Sequence, residues 1–489
     1  MARLVSAWAA VSWTAVVVAC GAPGPPAADR ATEGGRAGAP AAESMRPRDG
    51  EARSSGAAAT SAIGNRDTDP CPRWDQIDVA HLAPLPSSPY AAVLEQVWRV
   101  VWSRHFDPTF ACVNWPRLRE DYGARLAGAT TTTEAYARIN EMLGRLGVSH
   151  LRAFAPYDLT HPSPGGTGWV PLRARWIEGA VVVTHTSLFG QGSGIARGTV
   201  LHQIDARPVA PTEGGQARAG GRRQRREVAV ASHLDELLRC EPGRRRRFKL
   251  SEPGEPGRVQ TRELVCVAPL GRVINFGHLR GLRARVESRM LDGKIGYLAF
   301  NVWMLPLAAD LHRALGELRK AGARALILDL RGNLGGVGGM TIPVASLFMG
   351  ERADLGRLVM RGVTQKLEVR PGPGDDPFLG PLALLVDERT ASTSEIFAIA
   401  MGQQGRAKIY GGVPTAGMAL PSLVERLPDG GLLQYPVGEY FGPGGAVAEG
   451  VGVRPDVVVA RRRSDYVAGR DPVLEAAVRD LQLGQATEK

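Results

Sequence analysis

The sequence is short of lysine. Only six of its 60 basic residues are lysines and 54 are arginines, so a mechanism that needs a lysine base has few candidates. Zinc-ligand spacings such as CxxC and HExxH are absent, and so is the phosphate loop GxxxxGK[ST]. These absences argue against a metal site, a phosphate-loop nucleotide site and a resident cofactor.

The net charge of +11 raises the question of a polyanionic partner. The arginine runs at 222–226, 244–247 and 461–463 carry no interleaved aromatic residues and match no nucleic-acid-binding motif. We therefore expect these runs to be solvated loops, and we predict no nucleic-acid partner.

The amino terminus predicts export. Arg3 precedes an uncharged, mostly apolar run at 4–19, which suits a signal peptide and is too short to span a bilayer. The run ends at Cys20 in the sequence VVAC, which resembles the lipobox of bacterial lipoproteins. We predict a signal peptide at 1–19 and a lipid anchor on Cys20 that holds the protein in the bacterial cell envelope, at the periplasmic face or the cell surface. The alternative is an ordinary secretory signal with a chance cysteine.

Residues 20–69 are mostly Ala, Gly, Pro, Ser, Arg and Glu, so we expect a disordered tether. An even number of cysteines follows it, and in an exported chain this permits two disulfides. The four are Cys71, Cys112, Cys240 and Cys266. Of the three possible pairings, Cys71–Cys112 with Cys240–Cys266 keeps each bridge within one predicted domain. The alternative is four buried thiols.

The 489 residues give room for about three domains at roughly 150 residues each. Their periodicity predicts an α/β protein with a helical subdomain, a small mainly-β domain, an α/β core and a C-terminal helix and tail. These regions are residues 70–165, 166–269, 270–462 and 463–489.

The mainly-β domain resembles a PDZ domain in one stretch. PDZ domains carry a Gly-Ile/Leu-x-x-Gly-Asp turn before a strand, followed by an Asp-Gly turn. This chain has GIARGT at 194–199 and IDA at 204–206, so Thr199 and Ala206 replace the Asp of the first turn and the Gly of the second.

The core contains two nearly continuous apolar runs, at 325–330 and 382–386, which are typical of strands covered on both faces. Alternating strands and helices predict βαβ units around a largely parallel sheet. Ligands and active sites in such sheets lie at the carboxyl ends of the strands, so the turns that follow the two runs carry the candidate chemistry.

The first turn, DLRGNLGG at 329–336, is rich in glycine, which lets backbone N–H groups face an oxyanion. A plain glycine-rich turn is the alternative. The second turn places Ser392 between a strand and a helix, a position typical of a nucleophile. Ser392-x-x-Glu395 is also a capping box, in which the serine only satisfies helix N–H groups.

Three motifs occur in order behind the helical and PDZ-like regions: DLRGNLGG, TASTSEIFA at 390–398 and EGVGVRPD at 449–456. Together they resemble the serine peptidases of the tail-specific (C-terminal-processing) and tricorn-protease superfamily. The resemblance implies a ClpP/crotonase-like α/β core, and it assigns the nucleophile to Ser392.

The base distinguishes the branches of that superfamily. C-terminal-processing peptidases use a lysine in a Thr-Phe-Gly-Lys turn, where this chain has TAGM at 415–418, and Lys408, the nearest lysine, lies in a predicted strand. The tricorn-like branch uses a histidine after a small polar residue, which Ser149-His150 matches. Its glutamate maps to Glu449, expected to contact Ser149 or the imidazole, with Glu439 as the fallback.

The resemblance implies a serine endopeptidase that cleaves peptide or protein substrates through an acyl-enzyme on Ser392, with His150 as base. The backbone N–H groups of Thr393 and of Gly335 or Gly336 would hold the oxyanion. The alternative function is a catalytically inactive lipoprotein of the peptidase fold that binds peptides or proteins. The oligomeric state stays open.

Overall fold

A computed structural model describes residues 71–156, 168–188, 191–210, 222–255, 257–276, 279–372, 374 and 376–487. The predicted signal peptide, the tether and Cys20 lie outside these residues. Within the described ranges, no helix combines the length and apolarity that crossing a membrane requires.

The helices are α1 (Ala91–Arg104), α2 (Trp115–Ala127), α3 (Thr132–Gly144), α4 (Arg222–Leu238), α5 (Ala308–Lys320), α6 (Thr341–Ser346), α7 (Thr393–Gln403), α8 (Arg463–Val467) and α9 (Pro472–Thr487). The strands up to residue 265 are β1 (Arg152–Phe154), β2 (Gly168–Trp169), β3 (Arg173–Ile177), β4 (Ala180–His185), β5 (Ser187–Leu188), β6 (Gln191–Gly192), β7 (Val200–Ile204), β8 (Arg207–Pro208), β9 (Arg239–Cys240), β10 (Arg245–Ser251) and β11 (Gln260–Val265). The later strands are β12 (Arg272–Phe276), β13 (Leu279–Ala284), β14 (Val286–Leu291), β15 (Ile295–Phe300), β16 (Ala325–Asp329), β17 (Ala353–Met360), β18 (Val363–Val369), β19 (Leu382–Val386), β20 (Lys408–Gly411), β21 (Ser422–Arg426), β22 (Leu432–Pro436), β23 (Gly438–Phe441) and β24 (Val457–Val458).

Residues 71–156, the helical region, pack α1, α2 and α3 around a buried aromatic centre that includes Trp98 and Trp115. Side-chain caps fix two helix starts, because Asn114 accepts from an N–H of α2 and Thr131 from an N–H of α3. A disulfide joins Cys71 to Cys112. Strand β1 pairs with β22, so the helical region is joined by a sheet to residues 422–436, which follow helix α7 in the chain.

Residues 168–266, the β module, form an antiparallel sheet of order β11-β10-β7-β4-β3, with β8 paired to β7. Helix α4 packs on β3, and a disulfide joins Cys240 to Cys266. The apolar side chains of the sheet and of α4 share one buried cluster.

The prediction that the arginine runs are solvated loops is wrong in part, because most of these residues lie in helices or strands and two of the arginines are buried in ion pairs. Residues 222–226 open helix α4. Residues 245–247 lie in β10, where strand alternation turns Arg246 inward onto Asp205 while its neighbours stay exposed. Arg461 is buried between Glu388 and Glu227, at 2.9 and 2.7 Å. Carboxylates distant in sequence account for these buried arginines.

Residues 286–459, the α/β core, contain a six-stranded sheet of order β14-β15-β16-β19-β20-β24. The strands β15, β16, β19, β20 and β24 are parallel, and β14 adds an antiparallel edge. Alternate residues of β16 face α5 and α7 on one side and α9 on the other, which is why the predicted continuous apolar runs are fully buried. The mixed α/β architecture is confirmed.

Candidate active site

The Ser392 turn connects β19 to α7 at the carboxyl edge of the parallel sheet. Ser392 has φ +58° and ψ −123°, a backbone conformation that non-glycine residues rarely adopt. Its N–H donates to the Met418 carbonyl oxygen at 2.7 Å and to Glu395 Oε2 at 3.1 Å. Such strain persists only where neighbouring groups fix the backbone, and it is typical of a serine presented at a strand-to-helix turn.

A chain of hydrogen bonds leads from Ser392 to a carboxylate. His150 Nε2 lies 3.2 Å from Ser392 Oγ, and His150 Nδ1 lies 2.8 Å from Ser149 Oγ. The Ser149 hydroxyl donates to Glu449 Oε2 at 2.8 Å, and the Ser149 N–H donates to Oε1 at 2.9 Å. The Ala419 N–H also donates to Oε2, at 2.9 Å. The structure therefore brings together the four side chains that the motifs singled out.

This geometry selects the histidine tautomer. Because the Ser149 hydroxyl has one proton and Glu449 can only accept it, the Ser149 oxygen is left to accept from His150 Nδ1–H. Nε2 then carries the lone pair that faces Ser392, as a general base requires. Of the two contacts expected for Glu449, the one to Ser149 is formed. The fallback Glu439 lies in β23, paired with Val359 of β17.

The two interpretations of Ser392 are compatible. The glutamate half of the capping box is formed, because Glu395 Oε2 accepts from the Ser392 N–H at 3.1 Å, while the serine hydroxyl lies within reach of His150. The box fixes the backbone of Ser392, and the helix N-terminus adds partial positive charge beside the hydroxyl.

The glycine-rich turn lies directly against Ser392. A Cβ built on Gly335 would be 2.6 Å from Ser392 Cβ and 2.9 Å from the Thr393 nitrogen, so a side chain there has no space. The Gly335 N–H donates to Asn333 Oδ1 at 3.0 Å, so of the two glycines predicted as alternative oxyanion donors, Gly335 already has an acceptor. Among the described residues, neither Gly336 N–H nor Thr393 N–H has an acceptor, which leaves these two groups available.

The sequence predicted Glu395 only as part of a helix cap, and the structure gives it further contacts. Its buried carboxylate accepts from the Thr415 hydroxyl and from the N–H groups of Gly417, Met418 and Ser392 at 2.5–3.1 Å. Burial raises the pKa of this carboxyl to about 7, and the four hydrogen bonds oppose that rise. Glu395 thus joins the Ser392 turn to residues 415–418.

Neither candidate position supplies a lysine base. Met418 occupies the lysine position of the 415–418 turn. The Lys408 ammonium pairs with Asp480 at 3.2 Å, beside helix α9.

Comparisons with known proteins agree with the fold. Residues 294–459 match the model of peptidase family S41. The carboxyl-terminal-processing protease of Picosynechococcus sp. is 26% identical over 378 residues, 76% of this chain and 84% of that protein. Its counterpart in Synechocystis sp. is 26% identical over 407 residues, 80% and 86% of the two chains. The solved structure of the photosystem II D1 C-terminal processing protease aligns with a TM-score of 0.51 at 23% identity, over 76% of this chain and 94% of that one.

Proposed function

We propose that this protein cleaves peptide bonds through an acyl-enzyme on Ser392. Its match to the S41 family model and its relatives indicate a serine peptidase, which is a hydrolase. His150 Nε2 takes the Ser392 proton as the hydroxyl attacks the carbonyl carbon, and then gives that proton to the leaving amine. Water activated by the same nitrogen releases the acyl group. The observation that carries the proposal is the unbroken hydrogen-bond chain from Ser392 to Glu449.

The oxyanion is held by the N–H groups of Thr393 and Gly336. Both lack an acceptor among the described residues, and the N-terminus of α7 adds its dipole at the same point. Gly335 contributes space, because any side chain there would displace the nucleophile. Replacing Gly336 with proline, which has no N–H, should nearly abolish turnover.

The chemistry is that of the tricorn-like Ser-His-Glu branch, not of a Ser–Lys dyad. Support comes from Met418 at the lysine position and from the pairing of Lys408 with Asp480. Ser149 and Glu449 are positioning residues, because they act on the substrate only through the His150 imidazole.

The proposed architecture is a PDZ-like domain at 166–269 and a ClpP/crotonase-like core at 270–462, behind the helical subdomain at 70–165. The antiparallel sheet flanked by α4 supports the first, and the parallel sheet with helices on both faces supports the second. We further propose a lipid anchor at Cys20 in the bacterial cell envelope, with peptides or proteins as substrates. Metabolic labelling with a fatty acid tests the anchor, since Cys20→Ala should lose the label.

A fluorophosphonate probe tests the nucleophile without a known substrate. Wild type should be labelled, and Ser392→Ala and His150→Ala should not. Ser103→Ala is the matched control, because its exposed hydroxyl, among the described residues, bonds only to carbonyl oxygens of its own helix, and it should be labelled like wild type. Equal labelling of wild type and Ser392→Ala would refute the assignment. An unlabelled wild type would favour the binding function.

A further inference from the structure

A polar cavity of about 350 Å³ lies where the β module, the sheet edge and the C-terminal segment meet. Six arginines line it, against four carboxylates. The arginines are Arg173, Arg175, Arg285, Arg289, Arg331 and Arg461. The cavity is distinct from the Ser392 site, whose four hydrogen-bonded side chains are not among its lining residues.

Most of this charge is paired. Arg331 contacts Asp329 and Asp471 at 2.7 and 2.9 Å. Arg175 contacts Asp387 at 2.7 Å and Glu388 at 3.0 Å. Arg461 pairs with Glu388 and with Glu227 behind the cavity wall, and Arg285 lies 3.6 Å from Glu287. Each of the four lining carboxylates therefore already has an arginine partner.

Arg173 and Arg289 have no carboxylate within 4 Å among the described residues. Arg289 is exposed at the cavity rim, with its guanidinium 4.5 Å from the centre of the Tyr297 ring. Arg173 is half-buried inside the cavity, beside the paired Arg175, and partial burial together with that like charge lowers its pKa. The Arg173 carbonyl oxygen accepts from the Thr184 hydroxyl at 3.3 Å, but its guanidinium makes no hydrogen bond with the described part of the chain. A guanidinium that lies beside other arginines without a carboxylate partner is repelled by their charge, and an anion in the cavity would offset that repulsion.

Two side chains next to Arg173, those of Thr184 and His185, are polar and uncharged, so neither would transfer a proton to a bound anion. The pKa of His185 is lowered to about 3 by burial and by the charges of Arg173 and Arg331. The imidazole is therefore neutral, and the Thr184 hydroxyl lies 3.1 Å from its Nδ1. Around Arg173 the cavity thus offers polar groups and no unpaired negative charge.

The cavity reaches the glycine-rich turn as far as its first glycine, Gly332. A Cβ built on Gly332 would lie 3.9 Å from Arg173 Nη1, and the Gly332 N–H donates to Asp387 Oδ1 at 2.9 Å. Asp387 also accepts from the Arg389 N–H at 3.0 Å. One lining carboxylate therefore joins both turns that reach Ser392.

We propose that this cavity binds a compact, multiply charged oxyanion of the phosphate type, with Arg173 as its main ligand and Arg289 at its rim. A guanidinium presents paired N–H donors that match tetrahedral oxyanions. The proposal does not depend on peptidase activity, so its test uses stability alone.

The experiment measures the melting temperature of the full chain in phosphate and in chloride at equal ionic strength and pH. Wild type should show a saturable rise of a few degrees with phosphate, because a ligand that binds only the folded state stabilises it. Arg173→Gln should lose this rise. In phosphate-free buffer it should melt no lower than wild type, because it removes a charge that Arg175 repels and that no carboxylate pairs with.

Two further variants keep the test decisive. Arg289→Gln, at an exposed position, should raise the phosphate concentration for half the shift several-fold. Arg313→Gln is the matched control, since its side chain is 67% exposed and pairs with Asp310 away from the cavity, and it should respond like wild type. A phosphate response retained in Arg173→Gln, or an equal response to chloride, would overturn the proposal.

Discussion

The helical region and the β module both contact the α/β core, but through different kinds of interaction: hydrogen bonds in the first case and buried ion pairs in the second. The helical region contributes Ser149 and His150. Both belong to a chain of hydrogen bonds that begins at Ser392 and ends at the half-buried carboxylate of Glu449. The β module contributes Arg175 and Glu227, members of a buried network of charges that also includes Asp387, Glu388 and Arg461.

The difference separates proton transfer from positioning. An imidazole exchanges protons near neutral pH. In the buried network, burial alone would raise the pKa of Asp387, but Arg175 and the N–H groups of Gly332 and Arg389 lower it to about 2. Such a carboxylate stays charged at neutral pH and cannot act as acid or base. We infer that one interface supplies the chemistry and the other holds the turns in place.

The largest effect is expected at Glu449, the end of the proposed catalytic hydrogen-bond chain. Glu449→Gln replaces one accepting oxygen by a donor, although Ser149 Oγ, Ser149 N and Ala419 N all donate to this group. The Ser149 hydroxyl would then turn toward Nδ1 and stabilise the wrong tautomer. We expect the fluorophosphonate labelling rate to fall about 10³-fold or more.

A structural role alone for Glu449 would predict a lower melting temperature with little change in the pH profile of labelling. A positioning role predicts a changed pH profile in the folded variant. Ser149→Ala provides the matched comparison, since it breaks the same chain one group nearer to His150 and should give a similar loss.

The next effect tests whether the glycine-rich turn must fit against the nucleophile. Gly335→Ala introduces a Cβ at φ +92°, 2.6 Å from Ser392 Cβ and 2.8 Å from the Ala391 carbonyl oxygen. The turn must shift, and the oxyanion donors shift with it, so we expect a loss of about 10²–10³-fold in labelling rate. Gly338→Ala is the control, because its Cβ would meet nothing within 4 Å. Equal rates for both variants would contradict this account.

The sequence predicted the buried strands of the core for physical reasons, and it named the residues that the structure brings together around Ser392. The runs at 325–330 and 382–386 are apolar because both sheet faces are covered, so their continuity predicts buried strands. Ser392 and His150 could be named because each lies in a short local motif. The geometry between them depends on the whole fold, and no local pattern encodes it.

The parts that could not be predicted are contacts between distant residues. Arg461 belongs to a basic run that looks solvated, yet its partners lie 73 and 234 residues away in the chain. The Asn333 side chain accepts a hydrogen bond from the Gly335 N–H. The glycine content of the turn does not show which of its N–H groups has an acceptor. Glu395 has the sequence of a cap, and its contacts with residues 415–418 appear only after the turns meet.

A smaller effect on activity but a clear one on stability is expected at the β-module interface. Arg175→Met leaves Asp387 and Glu388 buried with fewer cations, which should cost about 3–5 kcal/mol of unfolding free energy. Arg352→Met is the control, because this arginine is 71% exposed and pairs with Glu368 at the surface, and it should change the unfolding free energy far less than Arg175→Met does. Chemical denaturation measures both. Similar losses would show that the buried network is no more important than a surface pair.

The smallest effect is the acid dependence of the same network. The folded-state pKa of Asp387 is about 2, below the ordinary value of 3.8, so its stabilisation is complete above about pH 4 and is lost as the pH falls toward 2. By linkage this amounts to roughly 2 kcal/mol at neutral pH. The stability difference between wild type and Asp387→Asn should therefore shrink between pH 4 and pH 2, as urea unfolding can measure. A difference that stays constant over this range would mean that Asp387 titrates normally, and the interface would then not be held by charge.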